Sequence, residues 1–405
     1  MLILKMAFRN IFRQKRRTIL TGLSMMVGFF LAVVFIGWSD GAYNNIIKTF
    51  TGNRLGHIQI HEKTYLKRPS LYKTIDDLPR VEKILHKISE VQSWAPRLFS
   101  SGLVSLEEKS AGVQIIGIDP EKETSTTHFD KKIIEGRSFS TKSSHETIIG
   151  KGLAAILNAK INDKIVIISQ AADGSIANDL YRVIGISSSG NDVDDRISFY
   201  LPLKDAQELL VLNGRIHEIA VTVDKLSHVS RTTKLIQTNL DNTDLEVEPW
   251  QVFAKSFYQA MQADKQGMWV MLVIIVVIVA VGVLNTVLMS VLERRREYGL
   301  LKAVGTKPRE IIKLVLLEVT ILAVFSLLIG TVLGLGANSF LSSHGIKFGE
   351  GFTYGGMTFD TMYSEINARS FIIPAVTVLL CSTLVSLYPS IKAAKTEPAK
   401  TMRMH

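Results

Sequence analysis

This sequence predicts an α-helical membrane protein with four transmembrane helices and a large α+β extracytoplasmic domain inserted between the first and second. Three observations lead there. Four uncharged apolar stretches, 18–39, 266–292, 319–346 and 370–391, each reach the roughly 20 residues a spanning helix requires. The long segment between the first two mixes short alternating patterns with helical ones. Basic residues crowd one set of span ends and avoid the other.

The chain has 405 residues and is 47% hydrophobic, with a positive mean hydropathy. Its first 17 residues form an amphipathic pattern with Leu4, Ala7, Phe8, Ile11 and Phe12 on one side. Such a helix suits the membrane interface, on the cytoplasmic side; a simple extension of the first span is the alternative. The first span, 18–42, is longer than the apolar core of a secretory signal, roughly 7–15 residues. "FIGWSDGAY" is a poor cleavage site, so the span reads as a retained anchor. The second, 266–292, is rich in β-branched residues but far too long for a strand. The third and fourth are placed at 314–343 and 370–391.

Charge sets the orientation. Lys5, Arg9, Arg13, Lys15, Arg16 and Arg17 precede the first span with no acid among them. Arg294, Arg295, Arg296, Lys302, Lys307, Arg309 and Lys313 fall in the 293–313 connection. Lys392, Lys395, Lys400 and Arg403 lie in the 392–405 tail. The 344–369 loop holds Lys347, Glu350, Asp360, Glu365 and Arg369, without basic excess. Both termini and 293–313 are therefore expected in the cytoplasm, with 43–265 and 344–369 outside. The net charge of +10 is thus a topology signal, and no nucleic-acid partner is expected. The only cysteine, Cys381, lies in the fourth span. No intramolecular disulfide can form, and a catalytic thiol is not expected there.

In the outer domain, "GHIQIHE", "GVQIIGID", "KIVIISQ", "YRVIGIS", "ISFYLPL" and "HEIAVTV" read as strands. "LPRVEKILHKI", "GLAAILN", "LKDAQELL" and "VSRTTKLIQTNL" read as helices. The order suggests one part made of 43–129 and 222–265, with a strand-rich subdomain, 130–221, inserted into it. The segment before the second span is expected to be helical and continuous with it.

The stretch "ERRREYGLLKAVGTKPREI" carries the densest charge beside the membrane. The second span should continue as a charged helix through Glu293–Glu297. Gly305 suits a left-handed helix stop. Thr306 is a plausible N-cap, and Pro308 is tolerated in the next first turn. A compact helical hairpin of this kind suits docking to a soluble partner; an ordinary solvated loop is the alternative.

Other signals are weaker. His57 and His61 share a strand face but lack a nearby third ligand, and surface positions are expected. Asn191–Asp195 ("NDVDD") lacks the EF-hand spacing and reads as a solvated turn. No metal site follows from either. Gly330, Gly334 and Gly336 include a small-xxx-small pattern for close packing, within the four helices or at a dimer contact. Glu318 near the cytoplasmic end of the third span should snorkel or pair with a basic residue. No Ser/His/Asp or paired-carboxylate arrangement indicates catalysis, and there is no G-x-x-x-x-G-K-[ST] phosphate loop.

"ERRREYGLLKAVGTKPREIIKLVLLE" resembles the signature of FtsX-like ABC-transporter permeases, roughly E-R-x-R-E-x-G-x-L-x-A-x-G. Glu293, Arg294, Arg296, Glu297, Gly299, Leu301, Ala303, Gly305, Ile311 and Glu318 fit it. "YPSIKAAKTEPAKTMR" is similar to the family's ending, through Pro389, Ala393, Ala394, Pro398 and Met402. "SDGAYNNIIKTFTGNRLGHIQIHEKTY" resembles the lipoprotein-releasing (LolC/LolE-type) branch. The resemblance implies a MacB-like periplasmic core and a bacterial inner-membrane location. It also implies a permease dimer, completed by the same chain or a related one, on a cytosolic ATPase dimer. That separate ATPase would bind ATP and Mg, leaving this chain non-catalytic and without a cofactor of its own. Glu293, Arg294, Arg296, Glu297, Gly299, Lys302, Gly305, Pro308, Arg309 and Glu310 are then the expected ATPase-coupling residues.

In that branch one permease carries a hairpin that engages a periplasmic carrier. The comparable hairpin here has its tip at 171–178, including Ala171, Asp173, Gly174, Ser175 and Asn178, and lacks an obvious apolar hook. The expected function is extraction of lipoprotein cargo from the membrane lipid toward the outer membrane. Two alternatives stay open: MacB-like export with a periplasmic adaptor, and FtsX-like signalling that activates a cell-wall hydrolase.

Overall fold

The computed structural model describes residues 2–13, 15–140, 144–240, 244–355 and 357–397. Pro398, Lys400, Met402 and Arg403 lie outside the described residues. The chain divides into two compact units: Met1–Asn44 with Met261–Lys347 and Thr361–His405, and Asn45–Ala260 with Phe348–Asp360.

Among the described residues, four helices are long and apolar enough to cross a bilayer, and most of each lies in the first unit: Thr18–Phe50, Lys255–Glu293, Pro308–His344 and Ala368–Ala394. The second helix has 39 residues, about 58 Å at 1.5 Å per residue. It therefore outruns a hydrocarbon core of about 30 Å. A preceding amphipathic helix covers Leu2–Arg13, burying Ala7 and exposing Leu4, Phe8 and Phe12. The 344–369 connection is more than a loop, since Ile346–Tyr354 and Met357–Met362 pair as a two-stranded sheet.

Hydrophobicity gives helices no reason to associate in lipid, so packing rests on small residues and shape. A Cβ on Gly330 would stand 2.6 Å from Phe29 Cδ1, and one on Gly334 2.8 Å from Val33 Cγ1. Both glycines therefore admit the first span within the same chain. Gly336 meets nothing within 4 Å and belongs to a different face. The fourth span buries Ser370, Pro374, Val378, Ser382, Ser386 and Ser390, a mostly small-residue ladder of spacing four.

The outer unit is built on one ten-stranded mixed sheet. In chain order the strands are β1 (Ile58–Glu62), β2 (Val91–Leu106), β3 (Lys109–Ile118), β4 (Ile133–Gly136), β5 (Glu146–Gly150), β6 (Lys164–Gln170), β7 (Ile176–Ser187), β8 (Ser198–Pro202), β9 (Glu218–Val223) and β10 (Leu245–Pro249). They lie in the order β10-β1-β9-β2-β3-β8-β5-β7-β4, with β6 paired to β2 and β7. β3/β8 and β5/β7 are parallel and the other pairs antiparallel. The main core joins Leu98, Val104, Ile115, Ile165, Ile167, Val183 and Phe199 to Leu153 and Leu157 of the Lys151–Leu157 helix.

The boundary expected at 221/222 falls inside β9, because β9 fills the slot between β1 and β2. β2, the longest strand, pairs with β9 through its first half and β6 through its second. It therefore ties together the parts that the sequence separates. His57 and His61 are buried, contrary to the surface expectation. His57 Nδ1 accepts the Val223 N–H at 2.9 Å, and His61 Nε2 lies 3.3 Å from Glu218 Oε2. Asn191–Asp195 is likewise no solvated turn. Asn191 Oδ1 caps the Asp192–Ile197 helix through the Val193 N–H, and buried Asp195 accepts from Ser189 N and Ser188 Oγ.

Two predictions follow from this packing. Gly330→Val and Gly334→Val overpack the first span and should each cost about 1–3 kcal/mol. Gly336→Val should leave the thermal midpoint of the nanodisc-embedded chain unchanged. Burial lowers the His57 pKa to about 4, below its ordinary 6.5. Stability held above pH 6.5 is therefore lost as pH falls toward 4, by about 3 kcal/mol. His57→Asn, which keeps an acceptor for Val223, should flatten that acid limb in thermal unfolding measured across pH.

Candidate functional site

The second span's helix stops at Glu293, and a new helix runs Arg295–Ala303. The expected unbroken run through Glu297 is thus interrupted at Arg294, whose ψ of 14° departs from helical values. The side chain explains the interruption. Arg294 is buried and donates from Nη1 to both oxygens of Glu318, at 2.9 and 3.1 Å. Its Nε donates to Glu297 Oε2 at 2.9 Å, and its guanidinium lies 5.2 Å from the Tyr298 ring. Asn10 Nδ2, from the amphipathic helix, donates to Glu318 Oε1 at 2.6 Å. Glu318 therefore pairs with a basic residue, one of the two outcomes expected for it.

The Arg295–Ala303 helix closes with paired hydrogen bonds, Gly305 N to Lys302 O and Thr306 N to Leu301 O, each 3.0 Å. This is the Schellman arrangement, which needs a left-handed residue at C′. Gly305 supplies it with φ of 101°. Thr306 is not the next cap. Lys307 precedes Pro308, and Glu310 Oε2 accepts the Lys307 N–H at 2.9 Å. The cap moves one residue because Pro308 takes the first helical position, where its missing N–H is harmless. Lys302 Nζ donates to the carbonyls of Ala394 and Thr396, at 3.0 and 2.8 Å, and so satisfies carbonyls at the end of the fourth span. Tyr298 is fully buried with Ile311, Leu314, Ala7 and Ala393.

The expected coupling residues thus divide in two. Arg294, Gly299, Lys302, Gly305 and Glu310 build the hairpin by burial, backbone geometry or hydrogen bonding. Glu293, Arg296, Pro308 and Arg309 are exposed upon it, and Glu297 is half-buried. Leu300 and Val304 escaped the sequence reading, yet they stand 49% and 87% exposed at the tip. Their signal was two apolar residues in a charged stretch, on the helix side opposite Tyr298.

In the outer unit, Ala171 is fully buried, which removes it from any contact surface. Asp173, Gly174 and Ser175 form the exposed turn: Asp173 Oδ1 accepts from Ser175 N and Oγ, and Gly174 has φ of 87°. The stem of the hairpin is apolar on one face. The outward face of β2, β6 and β7 presents Leu103, Val166, Ile168, Ile176 and Leu180, with Ile176 78% exposed. Strand alternation placed alternate apolar side chains outward where the hairpin leaves its core.

Residues 18–238 match the MacB-like periplasmic core domain, and residues 269–398 the FtsX-like permease C-terminal domain. The chain belongs to the FtsX-like ABC-transporter permeases with a MacB-like periplasmic core, and is an inner-membrane protein of that type. It is 23% identical to the lipoprotein-releasing system transmembrane protein LolC of Neisseria meningitidis, over 76% of this chain and 77% of that one. An uncharacterized ABC transporter permease of Methanocaldococcus jannaschii is 24% identical, over 99% and 97%. The macrolide export ATP-binding/permease protein MacB of Wolinella succinogenes is 24% identical over 84% of this chain, which spans only 54% of that protein.

The Arg294 assembly gives a stability test. Arg294→Ala should cost about 3–5 kcal/mol, because it leaves Glu318 buried without its cation. Arg294→Met combined with Glu318→Met should recover most of that loss. A double-mutant cycle on thermal unfolding in nanodiscs reads both values.

Proposed function

We propose that this permease takes motion from a separate cytosolic ATPase through its 293–310 hairpin and extracts lipoproteins from the membrane for delivery toward the outer membrane. The supporting observation is an apolar groove of about 400 Å³ between the first and second spans. Leu23, Val27, Leu31, Ile275 and Ile278 line it, and Gly28 lets Val279 approach closely. Ser24 also lines it, with its Oγ turned to the Leu20 carbonyl, and the mainly apolar wall that remains suits acyl chains drawn sideways from lipid. Both termini and the hairpin face the cytoplasm in this reading, following the basic excess. A second permease subunit completes the groove, and ATP and Mg sit on the ATPase.

On the hairpin, Leu300 and Val304 give an apolar tip, and Arg296 and Arg309 surround it with charge. This composition fits a protein surface better than a freely solvated loop does. Because Arg294 joins the hairpin to Glu318 and Asn10, displacement of the hairpin moves the third span and the amphipathic helix together. The apolar outer face of β2, β6 and β7 favours a periplasmic partner as well. A lipoprotein carrier is the first choice; an adaptor for MacB-like export and a cell-wall hydrolase under FtsX-like signalling are the alternatives.

Mass spectrometry of the complex, co-expressed with its candidate ATPase and purified without ATP, tests the cargo. A stoichiometric acylated lipoprotein should be present and should leave on adding ATP. Ile278→Trp should fill the groove and abolish its recovery with the complex intact; phospholipid alone in the unmodified complex would refute the reading. Replacing Arg296 and Glu297 together by Ala should leave insertion intact but reduce cargo release per ATP hydrolysed by tenfold or more. Unchanged release would remove these residues from the coupling role.

A further inference from the structure

The outer unit contains a second concavity, a cavity of about 470 Å³ on one face of the sheet. Alternation along β2 puts Arg97, Phe99 and Ser101 on the same face. The register then sets Phe99 opposite Ile116, Ile116 opposite Tyr200, and Ser101 opposite Gln114. Phe129 comes in from the turn after the Pro120–Thr127 helix and meets Tyr200 edge-on at 4.8 Å. Tyr65, from the segment after β1, closes another side.

Beneath these rings lies a buried ion cluster. Arg97 donates to Glu123 from Nε at 3.0 Å and Nη2 at 2.6 Å, and to Glu218 from Nη1 at 2.9 Å. Thr127 Oγ1 donates to Glu123 at 2.7 Å. Arg97 is 5% exposed and Glu218 6%, and both border the cavity. Three of the five guanidinium N–H groups are engaged by carboxylates, which leaves two. Tyr65 stacks between His61 and His217, with centroids 5.4 and 5.5 Å away. Burial and the Glu218 charge push its phenol pKa up, so it remains a hydrogen-bond donor.

A buried ion cluster is commonly less stable than an apolar filling of the same space. A cleft open to solvent on one side, with fixed buried donors at its floor, has the construction of a ligand site, and its volume lies within the roughly 300–1,000 Å³ of small-molecule clefts. Arg97, Lys132 and Glu218 reach the wall and Glu123 lies behind it on Arg97, so two cations and two anions balance around the cavity and favour neither sign of ligand charge.

We propose that this cavity binds an uncharged small amphiphile. Its flat or ring-shaped apolar body lies among Phe99, Ile116, Phe129 and Tyr200, and its polar end accepts hydrogen bonds from Arg97 and Tyr65. The site is independent of the groove between the spans and of the cargo assigned there.

The test uses the full chain in lipid nanodiscs with Cys381→Ser and Ser101→Cys at the cavity rim. Maleimide labelling is timed with coumarin, a neutral bicyclic probe, and with coumarin-3-carboxylate. Coumarin should slow labelling at least fivefold and the carboxylate should not. Labelling of a Ser175→Cys control on the hairpin tip should stay unchanged. Adding Phe99→Ala, or Gln114→Trp to fill the rim if the alanine variant fails to fold, should abolish the protection. Absence of protection up to the solubility limit of coumarin overturns the proposal. So does equal protection at both thiols, or better protection by the carboxylate.

Discussion

A guanidinium inside an apolar helical bundle must be neutralised where it stands, and in the membrane unit that requirement falls on Arg294. Its charge is met by Glu318 from the third span and Glu297 from the hairpin, while Asn10 takes part of the remaining acceptor capacity of Glu318. The helix gives up its regular course at one residue to let this happen. The amphipathic helix, the hairpin and the third span are thereby fixed to one another at a single point. Exposed pairs nearby, such as Arg13–Glu297 at 3.3 Å, add little, because water screens them.

The outer unit solves a similar problem in a similar way. Arg97, like Arg294, makes two hydrogen bonds to one carboxylate and a third to another. The planar, permanently charged fork of arginine suits this geometry, and a lysine would satisfy neither site in the same way. The surroundings differ. Arg294 is enclosed by helices and acts as a joint, whereas Arg97 borders open volume.

What the sequence revealed follows the range of the forces involved. The spans, the stop at Gly305 and six of the strands are set within ten to thirty residues, so local pattern found them. β2 went unread because Pro96 and the serines around Ser100 argue against a strand. The sheet accepts them because Pro96 sits opposite Ile219 within an otherwise long ladder. His57, His61 and Asp195 read as surface residues since their partners, Val223, Glu218 and the Ser188–Ser189 pair, are fixed only by tertiary pairing. The division of the hairpin residues into buried builders and exposed presenters was also invisible, because helix phase beyond the break at Arg294 depends on the Glu318 contact. Among the small residues, the sequence drew attention to glycines in the third span, yet the serine ladder of the fourth is the longer packing stripe.

The placement of β1 also governs how this protein is made. Among the described residues its ladder partners are β9 and β10, although it precedes both by most of the domain. During synthesis β1 is made early and has nothing to pair with until the last strands of its sheet arrive. Closing so long a loop is slow for entropic reasons. For that interval a strand that carries Ile58 and Ile60 is left with both edges unpaired. β10 ends at Pro249, just before the second long helix begins at Lys255, so completion of this sheet and insertion of the remaining helices are bound to the same stretch of time.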